Sequence, residues 1–474
     1  MNAVRARGSE LRQTARLATP LILATAGNQL LSVVDVLIAG RMGEQVLAAA
    51  GFGQSIFFLV SIFPMGVILG LDTLVSQAIG HGDRAATHLH FASALRLARW
   101  MSLPTLAVMA GLLAVSLRFV DFSPHTERET WAYLAARAPS TWPFLVFMAQ
   151  RSLLQGWGRA RPVATSMLVA NLVNLPVSAL LAMGDGALTW AGLPSIGLGS
   201  GLGAAGIGLG TTIVVLCQLG WLTLAVSRLD GQPPTRDRHP PVGELWRLGW
   251  PIALQLGSET SIFAGTTILM GYFGEAAVAA HRVALTVTAM TITVCLGIGS
   301  ATAVRVGMAV GAGALPRARR ATLSGLGLGL TAMLCSATAF VLAGPSIAGL
   351  FTDVPELIEM AAGFLFIAAM FQLLDGSQII ASAALRGAGR TREAMIVGLV
   401  GYWVLGLPFA VGLALGTDLG PSSLWYGLVV GLTFSGPVAT LCALTATKVE
   451  SRQLPVTPQP PLDRREGPVS LPVE

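Results

Sequence analysis

The stretch LLQGWGRAR at residues 153–161 returns as ALRGAGRTR at residues 384–392, which is 231 residues further along the chain. The same offset places Thr19-Pro20 on Trp250-Pro251. Glycines also coincide at this offset, and the matching pairs are Gly40 and Gly271, Gly43 and Gly274, Gly66 and Gly297, Gly80 and Gly311, and Gly82 and Gly313. Single glycine matches mean little in a glycine-rich chain, but one constant offset over separated regions predicts two related halves.

The composition of the chain excludes an ordinary soluble fold. Of its 474 residues, 11% are charged and 53% are apolar, and the mean hydropathy is strongly positive. A soluble domain carries about 25% charged residues. The surface must therefore face lipid. The net charge of +6 does not indicate a nucleic-acid partner, because the basic residues lie in short loops between apolar runs.

Apolar runs of about 20 residues, the length that crosses a bilayer, divide the chain into twelve predicted spans. These are residues 17–40, 47–79, 95–118, 131–153, 163–183, 197–226, 248–273, 278–310, 321–349, 356–384, 394–416 and 422–447. The sixth run opens with a glycine-rich stretch, so its helix is expected to begin near Leu202. The predicted fold is an all-α membrane protein of about twelve transmembrane helices, in two six-helix bundles related by a pseudo-two-fold axis along the membrane normal.

Five regions follow from this reading. They are a cytoplasmic N-terminal segment (1–16), an N-terminal six-helix lobe (17–228), a cytoplasmic linker (229–244), a C-terminal six-helix lobe (245–448) and a proline-rich tail (449–474) that is predicted to be disordered. The first run is too long for the apolar region of a cleavable signal peptide.

The orientation follows from the basic residues. The two termini and every second loop hold 23 of the 30 lysines and arginines, and the opposite loops hold three. Positive residues concentrate on the cytoplasmic side, so both termini are predicted to be cytoplasmic.

Four acidic residues lie inside predicted spans and away from the first turns, and a charge at the bilayer centre costs about 2.5–3.5 kcal/mol. Asp35 lies in the outer third of the first span and Asp72 toward the inner end of the second. Glu259 lies near the middle of the seventh span, and Asp375 lies at middle to inner depth in the tenth. Asp72 fits a structural role equally well. No basic residue is expected at the depth of Glu259 and Asp375, which are therefore the leading functional candidates.

These carboxylates favour ion coupling. Burial stabilises the protonated form of an isolated carboxylate, which can then carry H⁺ between the two sides. Two carboxylates with nearby hydroxyl groups also suit Na⁺, because hard cations prefer oxygen ligands. Ser258 and Ser261 flank Glu259, and Ser377 follows Asp375. Either ion would compete with an organic cation for the same negative site, and the sequence leaves both ions open. No other cofactor and no enzymatic activity are expected.

Five stretches together resemble the MATE (multidrug and toxic compound extrusion) family. They are ATPLILATAGNQLLSVVDVLIAGRMG (18–43), TLVSQAIG (73–80), RSLLQGWGRARP (151–162), FQLLDGSQ (371–378) and YWVLGLP (402–408). The resemblance covers about residues 15–447. Within the family, the chain resembles the bacterial multidrug-efflux branch, which implies a multi-pass protein of the bacterial inner membrane. It implies a cation site formed by Glu259 and Asp375, which would be Na⁺ ligands in a sodium-coupled protein. It also implies a coupling role for Asp35, supported by Asn174 with Asn171 beside it.

Other residues are secondary candidates. His281 in AAHRVAL is a candidate coupling residue, although a histidine at the outer end of a span is more often a packing residue. A weak substrate-cavity prediction covers Phe263, Met270 and Phe371, because methionine repacks easily and aromatic faces attract cations. These three side chains are equally suited to face lipid.

Two positions depart from the family pattern. The repeat equivalent of Asp35 is Thr266, so the second half lacks an acid there. Gly297 stands where a proline is common in the eighth span, so that helix is expected to bend differently.

The predicted function is a secondary antiporter that expels organic cations or amphipathic drugs in exchange for Na⁺ or H⁺, by alternating access of two lobes. Its expected partners are these small molecules and membrane lipid, with no nucleic acid, and it is expected to be a monomer. The alternative is a lipid-linked oligosaccharide flippase of the same superfamily. Such a flippase would place basic residues in its cavity, whereas the charges inside these spans are acids. A membrane enzyme is disfavoured because the six histidines are scattered along the chain.

Overall fold

The computed structural model describes residues 2–120, 122–197, 199–229 and 242–447, with side chains from residue 10 onward. Helices dominate these ranges, and no strand occurs in them. Most of the predicted linker and all of the predicted tail after residue 448 lie outside the described residues.

The first half, called the N lobe, contains eight helices within these ranges. They are α1 (Asn2–Met42), α2 (Glu44–His81), α3 (Arg84–Ser116), α4 (Pro124–Arg137), α5 (Thr141–Gly156), α6 (Arg161–Met183), α7 (Asp185–Trp190) and α8 (Ala204–Val226). A short 3₁₀ turn at Ala138–Ser140 joins α4 to α5, and together they occupy the fourth predicted span. Helix α8 begins two residues after the expected position.

The second half, the C lobe, contains α9 (Val242–Met270), α10 (Glu275–Gly311), α11 (Leu315–Ala348), α12 (Pro355–Gly387), α13 (Thr391–Leu399), α14 (Leu407–Gly416) and α15 (Ser422–Ala446). A π-helical turn at Val400–Gly406 connects α13 to α14, so the three pieces make the eleventh predicted span. Within the described ranges, ten helical segments are long and apolar enough to cross a membrane. The two remaining predicted spans are the pair α4 and α5, whose 14 and 16 residues make each helix too short to cross alone, and α9, which is less apolar because it holds polar residues such as Gln255 and Glu259.

Each lobe has its own apolar interior, while large apolar side chains also cover much of the outside. The N-lobe core includes the buried Leu71, Leu145 and Leu153. In the C lobe, Trp425 stacks between Phe364 and Phe371, with ring centroids 5.6 and 6.1 Å apart. Many outward-facing leucines and other large apolar side chains are exposed, as expected for a surface in contact with lipid.

The two lobes meet closely at one end of the molecule, which we call the closed end. There the second half of α2 packs on α9 and α10, and glycines make the approach possible. A Cβ at Gly66 would lie 2.4 Å from the Cα of Ala253, and a Cβ at Gly80 would lie 2.0 Å from the carbonyl oxygen of Met308. The hydroxyl of Thr73 donates to the carbonyl oxygen of Arg386 at 2.7 Å across the same boundary.

Helix α1 belongs to both lobes. It runs unbroken through the predicted boundary at residue 17, and its first half packs on the C lobe. Glu10, Thr14, Ala18 and Leu21 are all buried, and this spacing places them on one helical face. Arg305 of α10 donates to the carboxylate and carbonyl of Glu10 and to the hydroxyl of Thr14. The first half of α1 therefore links the lobes at the closed end.

Gly297 has a packing role in this contact. A Cβ at Gly297 would lie 2.7 Å from the Cα of Ile22, so glycine lets α10 lie directly against α1. The helix α10 continues without interruption from Glu275 to Gly311.

Candidate functional site

The N-lobe carboxylate Asp35 is buried, and a hydrogen-bonding side chain lies beside each of its oxygens. Asn174 Nδ2 donates to Oδ1 at 3.1 Å. The Thr211 hydroxyl lies 3.1 Å from Oδ2 and 2.9 Å from the Ile207 carbonyl oxygen, so it donates to one of the two. Ser178 in turn donates to Asn174 Oδ1 at 2.8 Å, which fixes the orientation of the amide. Helices α1, α6 and α8 thus hold Asp35 in a connected polar network.

Asp35 borders a small cavity. Its volume is about 10 Å³, which is room for roughly one water molecule, and Gln54, Tyr133 and Ile207 also line it. Arg137, one helical turn after Tyr133, lies with its guanidinium 4.4 Å above the Phe57 ring. Arg137 also attracts Asp35 electrostatically without forming an ion pair with it among the described contacts. The N-lobe site therefore combines the Asp35 carboxyl group with the nearby guanidinium group of Arg137.

The C-lobe carboxylate Glu259 is half-buried on α9, and one of its oxygens receives two amide donors. Gln255 Nε2 donates to Oε1 at 3.0 Å from one turn earlier on the same helix. Gln378 Nε2 donates to the same oxygen at 3.2 Å from α12. The Tyr402 hydroxyl donates to Gln378 Oε1 at 2.9 Å. Helix α9, helix α12 and the π turn therefore converge on Glu259.

Asp375 lies on α12, is 4% exposed, and interacts electrostatically with Glu259. Its Oδ2 has no hydrogen-bond partner among the described residues, although it is buried. Two further buried oxygens in α9, Gln255 Oε1 and Ser258 Oγ, also lack a partner there. A buried oxygen without a donor is costly, so each of these acceptors would be stabilised by a proton or a cation.

Asp72 lies apart from this pair, at the closed end. It interacts electrostatically with Arg151 of its own lobe and with Arg386 of α12, and its Oδ1 is buried without a hydrogen-bond partner among the described residues. Arg386 also attracts Glu259 electrostatically, although no ion pair joins them among the described residues. A long arginine side chain can act well beyond the depth of its own Cα. Asp72 is thus placed beside the contact between the lobes.

The remaining predicted residues are placed as follows. His281 is fully buried, its Nε2 lies 3.1 Å from the Thr267 hydroxyl, and its ring packs edge-on against Trp425. Asn171 donates to the carbonyl oxygens of Gly27 and Met167 and so joins α6 to α1 without touching Asp35.

The three predicted cavity residues divide between two environments. Phe263 is half-buried beside Tyr402, with ring centroids 6.4 Å apart. Met270 and Phe371 are buried in the C-lobe core, with 0% and 2% exposure. A substrate-lining role stays a prediction for these residues, and in this structure two of them face the interior of the lobe.

Sequence reasoning missed several members of both sites. In the N lobe these are Thr211, Ser178, Tyr133 and Arg137, and in the C lobe Gln255, Gln378 and Tyr402. Helical spacing was a usable signal for two of them, because residues three or four apart share a helix face. Gln255 precedes Glu259 by four positions, and Gln378 follows Asp375 by three.

Comparison with known proteins supports the repeat and the fold. A family model described as MatE matches residues 20–180 and matches again at residues 251–411. The two matches are offset by 231 residues, which is the offset predicted from the glycine and arginine pattern. The internal repeat is therefore confirmed.

The most similar relatives that we compared are bacterial. The "Probable multidrug resistance protein NorM" of Deinococcus radiodurans is 38% identical over 436 residues, which cover 90% of this chain and 94% of that protein. The protein of the same name from Burkholderia mallei is 34% identical over 438 residues, covering 88% and 89%.

Solved structures share the fold. The eukaryotic MATE transporter AtDTX14 superposes with a TM-score of 0.82 at 18% identity, covering 93% of this chain and 98% of that one. A MATE in complex with MaD3S superposes with a TM-score of 0.81 at 20% identity, covering 93% and 97%.

Proposed function

Because the chain belongs to the MatE family, we propose that it is a secondary antiporter that expels organic cations or amphipathic drugs in exchange for Na⁺ or H⁺. The chain is a multi-pass membrane protein, and its bacterial relatives are named as multidrug resistance proteins. The coupling ion, its site and the direction of transport are parts of the proposal.

The single observation that carries the proposal is the unsatisfied acidic pair of the C lobe. Glu259 of α9 and Asp375 of α12 interact electrostatically, and one buried oxygen of Asp375 has no donor among the described residues. An ion pair or a full set of hydrogen bonds would satisfy such a group permanently. A group that is left incomplete gains most when a proton or a Na⁺ ion binds to it, so this pair suits reversible loading.

The lobe contact supports alternating access. The lobes meet closely where α2 packs on α9 and α10, and Gln77 at the end of α2 reaches Gly387, beside the basic loop 386–392 that is predicted to be cytoplasmic. With the positive residues inside, the closed end would face the cytoplasm. Loading of the C-lobe pair from the outside would release the drug outward while this end stays closed. The closed end would open in the next step, as one lobe rocks against the other.

The test is ion-driven dye transport into the lumen of inverted membrane vesicles, with an imposed proton or sodium gradient. Wild type is compared with Glu259→Gln and Asp375→Asn, and Glu393→Gln serves as a control because Glu393 is an exposed acid at the start of α13. We expect both C-lobe variants to lose at least tenfold in gradient-driven rate and the control to keep wild-type transport. Normal transport by both C-lobe variants would show that the proposed coupling site is wrong. The gradient that drives wild-type transport identifies the ion.

A further inference from the structure

The oxygen Oε1 of Glu259 already accepts two hydrogen bonds. Gln255 and Gln378 both direct amide nitrogens at this one atom, at 3.0 and 3.2 Å. A carboxylate oxygen that accepts two N–H groups has little capacity left for a further proton or cation. The other carboxylate oxygen, Oε2, accepts no hydrogen bond from the residues that the structure describes. The two oxygens of Glu259 are therefore chemically distinct.

The orientation of Gln378 depends on Tyr402. Because the carboxylate can only accept while ionised, Gln378 must present its amide nitrogen to Glu259 and turn its own oxygen away. That oxygen then needs a donor, and the Tyr402 hydroxyl supplies one at 2.9 Å. Tyr402 is 3% exposed, so water does not readily replace it. A chain of two hydrogen bonds thus runs from Tyr402 through Gln378 to Glu259.

The π turn at Val400–Gly406 presents this tyrosine. A π turn inserts an extra residue into a helix and rotates the side chains that follow, and such turns are frequent at functional sites. Glycines allow the widened turn to pack on α15: a Cβ at Gly401 would lie 2.8 Å from the Ser435 Cβ, and a Cβ at Gly406 would lie 3.0 Å from the Gly427 carbonyl oxygen. Packing against α15 therefore fixes the π turn, and the π turn positions the Tyr402 hydroxyl.

We propose that Gln255, Gln378 and Tyr402 are positioning residues that occupy Oε1 of Glu259 and so restrict exchange of the coupling ion to Oε2. This inference rests on the proposed function. The arrangement has a chemical advantage, because a carboxyl group protonated at Oε2 still accepts hydrogen bonds at Oε1. Both amides and the tyrosine then keep their partners whether the site is loaded or empty. Gln378 also lies one turn from Asp375 on α12, so the same residue sets the spacing between the two carboxylates.

The experiment measures the half-saturating concentration of the driving ion, Na⁺ or H⁺, in dye transport by reconstituted full-length protein. The variants are Tyr402→Phe, Gln378→Met and the double variant, with Tyr272→Phe as the matched control because Tyr272 is 85% exposed. Tyr402→Phe keeps the ring and its packing, so it removes only the hydroxyl. The ion-dependent rise in unfolding temperature of the purified proteins gives a second readout that does not require transport.

We expect Tyr402→Phe to shift the half-saturating ion concentration about threefold to tenfold, the effect of one lost hydrogen bond, with the maximal rate within about twofold of wild type. The shift should be upward for Na⁺, whose carboxylate ligand is less firmly positioned, and downward for H⁺, because the ionised carboxylate loses support from its donors. Gln378→Met should have at least this effect, and the double variant should match Gln378→Met alone, because Tyr402 acts through Gln378. A merely structural role would instead lower the maximal rate and give effects that multiply.

Two outcomes would overturn the inference in distinguishable ways. If Glu259→Gln abolishes coupling but Tyr402→Phe behaves like Tyr272→Phe, or the two effects multiply, the positioning role is wrong and the proposed function stands. If Glu259→Gln leaves ion dependence unchanged, the proposed function is wrong and the positioning role falls with it.

Discussion

The two lobes share one fold and surround Asp35 and the Glu259–Asp375 pair differently. In the N lobe, a hydrogen-bonding group lies beside each oxygen of Asp35, and Asn174 is itself held by Ser178. In the C lobe, Asp375 has a buried oxygen with no partner among the described residues, and only one oxygen of Glu259 accepts hydrogen bonds from them. A carboxylate with partners is stable without a ligand, and an incomplete one gains from binding a cation. The difference indicates that the two halves kept one scaffold while the surroundings of these carboxylates diverged.

The divergence is visible residue by residue. At the repeat offset, Glu259 corresponds to Asn28 and Asp375 to Phe144, so the N lobe lacks the acidic pair. Asp35 corresponds to Thr266, whose hydroxyl donates to the Ile262 carbonyl oxygen. The position equivalent to Asn174 is Leu405, which has no amide to offer an acid. At the C-lobe positions equivalent to Asp35 and Asn174, both the acid and its amide donor are therefore absent.

The largest loss in stability is expected from Thr266→Asp, which places an acid at the C-lobe equivalent of Asp35. Thr266 is 3% exposed and the equivalent donor is missing, so we expect a loss of about 2.5–3.5 kcal/mol in stability. The measurement is the unfolding temperature of purified protein in detergent. Thr266→Val is the size-matched control. Wild-type stability of the aspartate variant would mean that the C lobe can satisfy an acid at this position after all.

A smaller effect is expected from weakening the N-lobe network. Asn174→Leu removes the donor to Asp35 Oδ1 and leaves a buried acceptor unpaired, at a cost of about 1–3 kcal/mol. The same substitution in an Asp35→Leu background should cost much less, because the orphaned carboxylate is then gone. Unfolding temperatures of the four proteins measure this difference. Equal costs in both backgrounds would contradict the view that Asn174 serves Asp35.

The smallest effect concerns the link between the lobes through α1. Glu10→Gln replaces the ion pair with Arg305 by a hydrogen bond from the charged guanidinium to a neutral amide oxygen, which should cost about 1 kcal/mol and favour opening of the closed end. Opening is measured by the rate of thiol labelling at Ala253→Cys, a buried position on the lobe boundary, in a protein whose own four cysteines are replaced by alanine.

The control for this link is Glu393→Gln, which breaks the exposed pair between Glu393 and Arg390. Exposed ion pairs contribute little to stability. The labelling rate should therefore equal that of the Ala253→Cys protein that carries neither glutamate substitution. Faster labelling with Glu10→Gln alone supports the link. The same rate in all three proteins would show that α1 does not hold the closed end.

Much of the fold was readable from the sequence because lipid imposes a simple length and polarity on each span. The repeat offset needed only glycines and arginines at fixed spacing. The proximity of Gln255 to Glu259 was also implicit, since four residues make about one helical turn. Tyr402 was not predictable from spacing, because the π turn rotates it out of the α-helical register. Thr211 and Arg305 were hidden for another reason: their contacts depend on how separate helices pack, and no local pattern encodes that.

The most direct test of the account is ion binding to purified protein, measured as the rise in unfolding temperature with increasing Na⁺ or with decreasing pH. Wild type is compared with Asp35→Asn and Asp375→Asn. The account predicts that Asp35→Asn keeps the ion-dependent rise while Asp375→Asn loses it, because the incomplete carboxylates of the C lobe hold the ion. The reverse result, with the rise lost in Asp35→Asn and retained in Asp375→Asn, would place the ion in the N lobe and contradict the central claim.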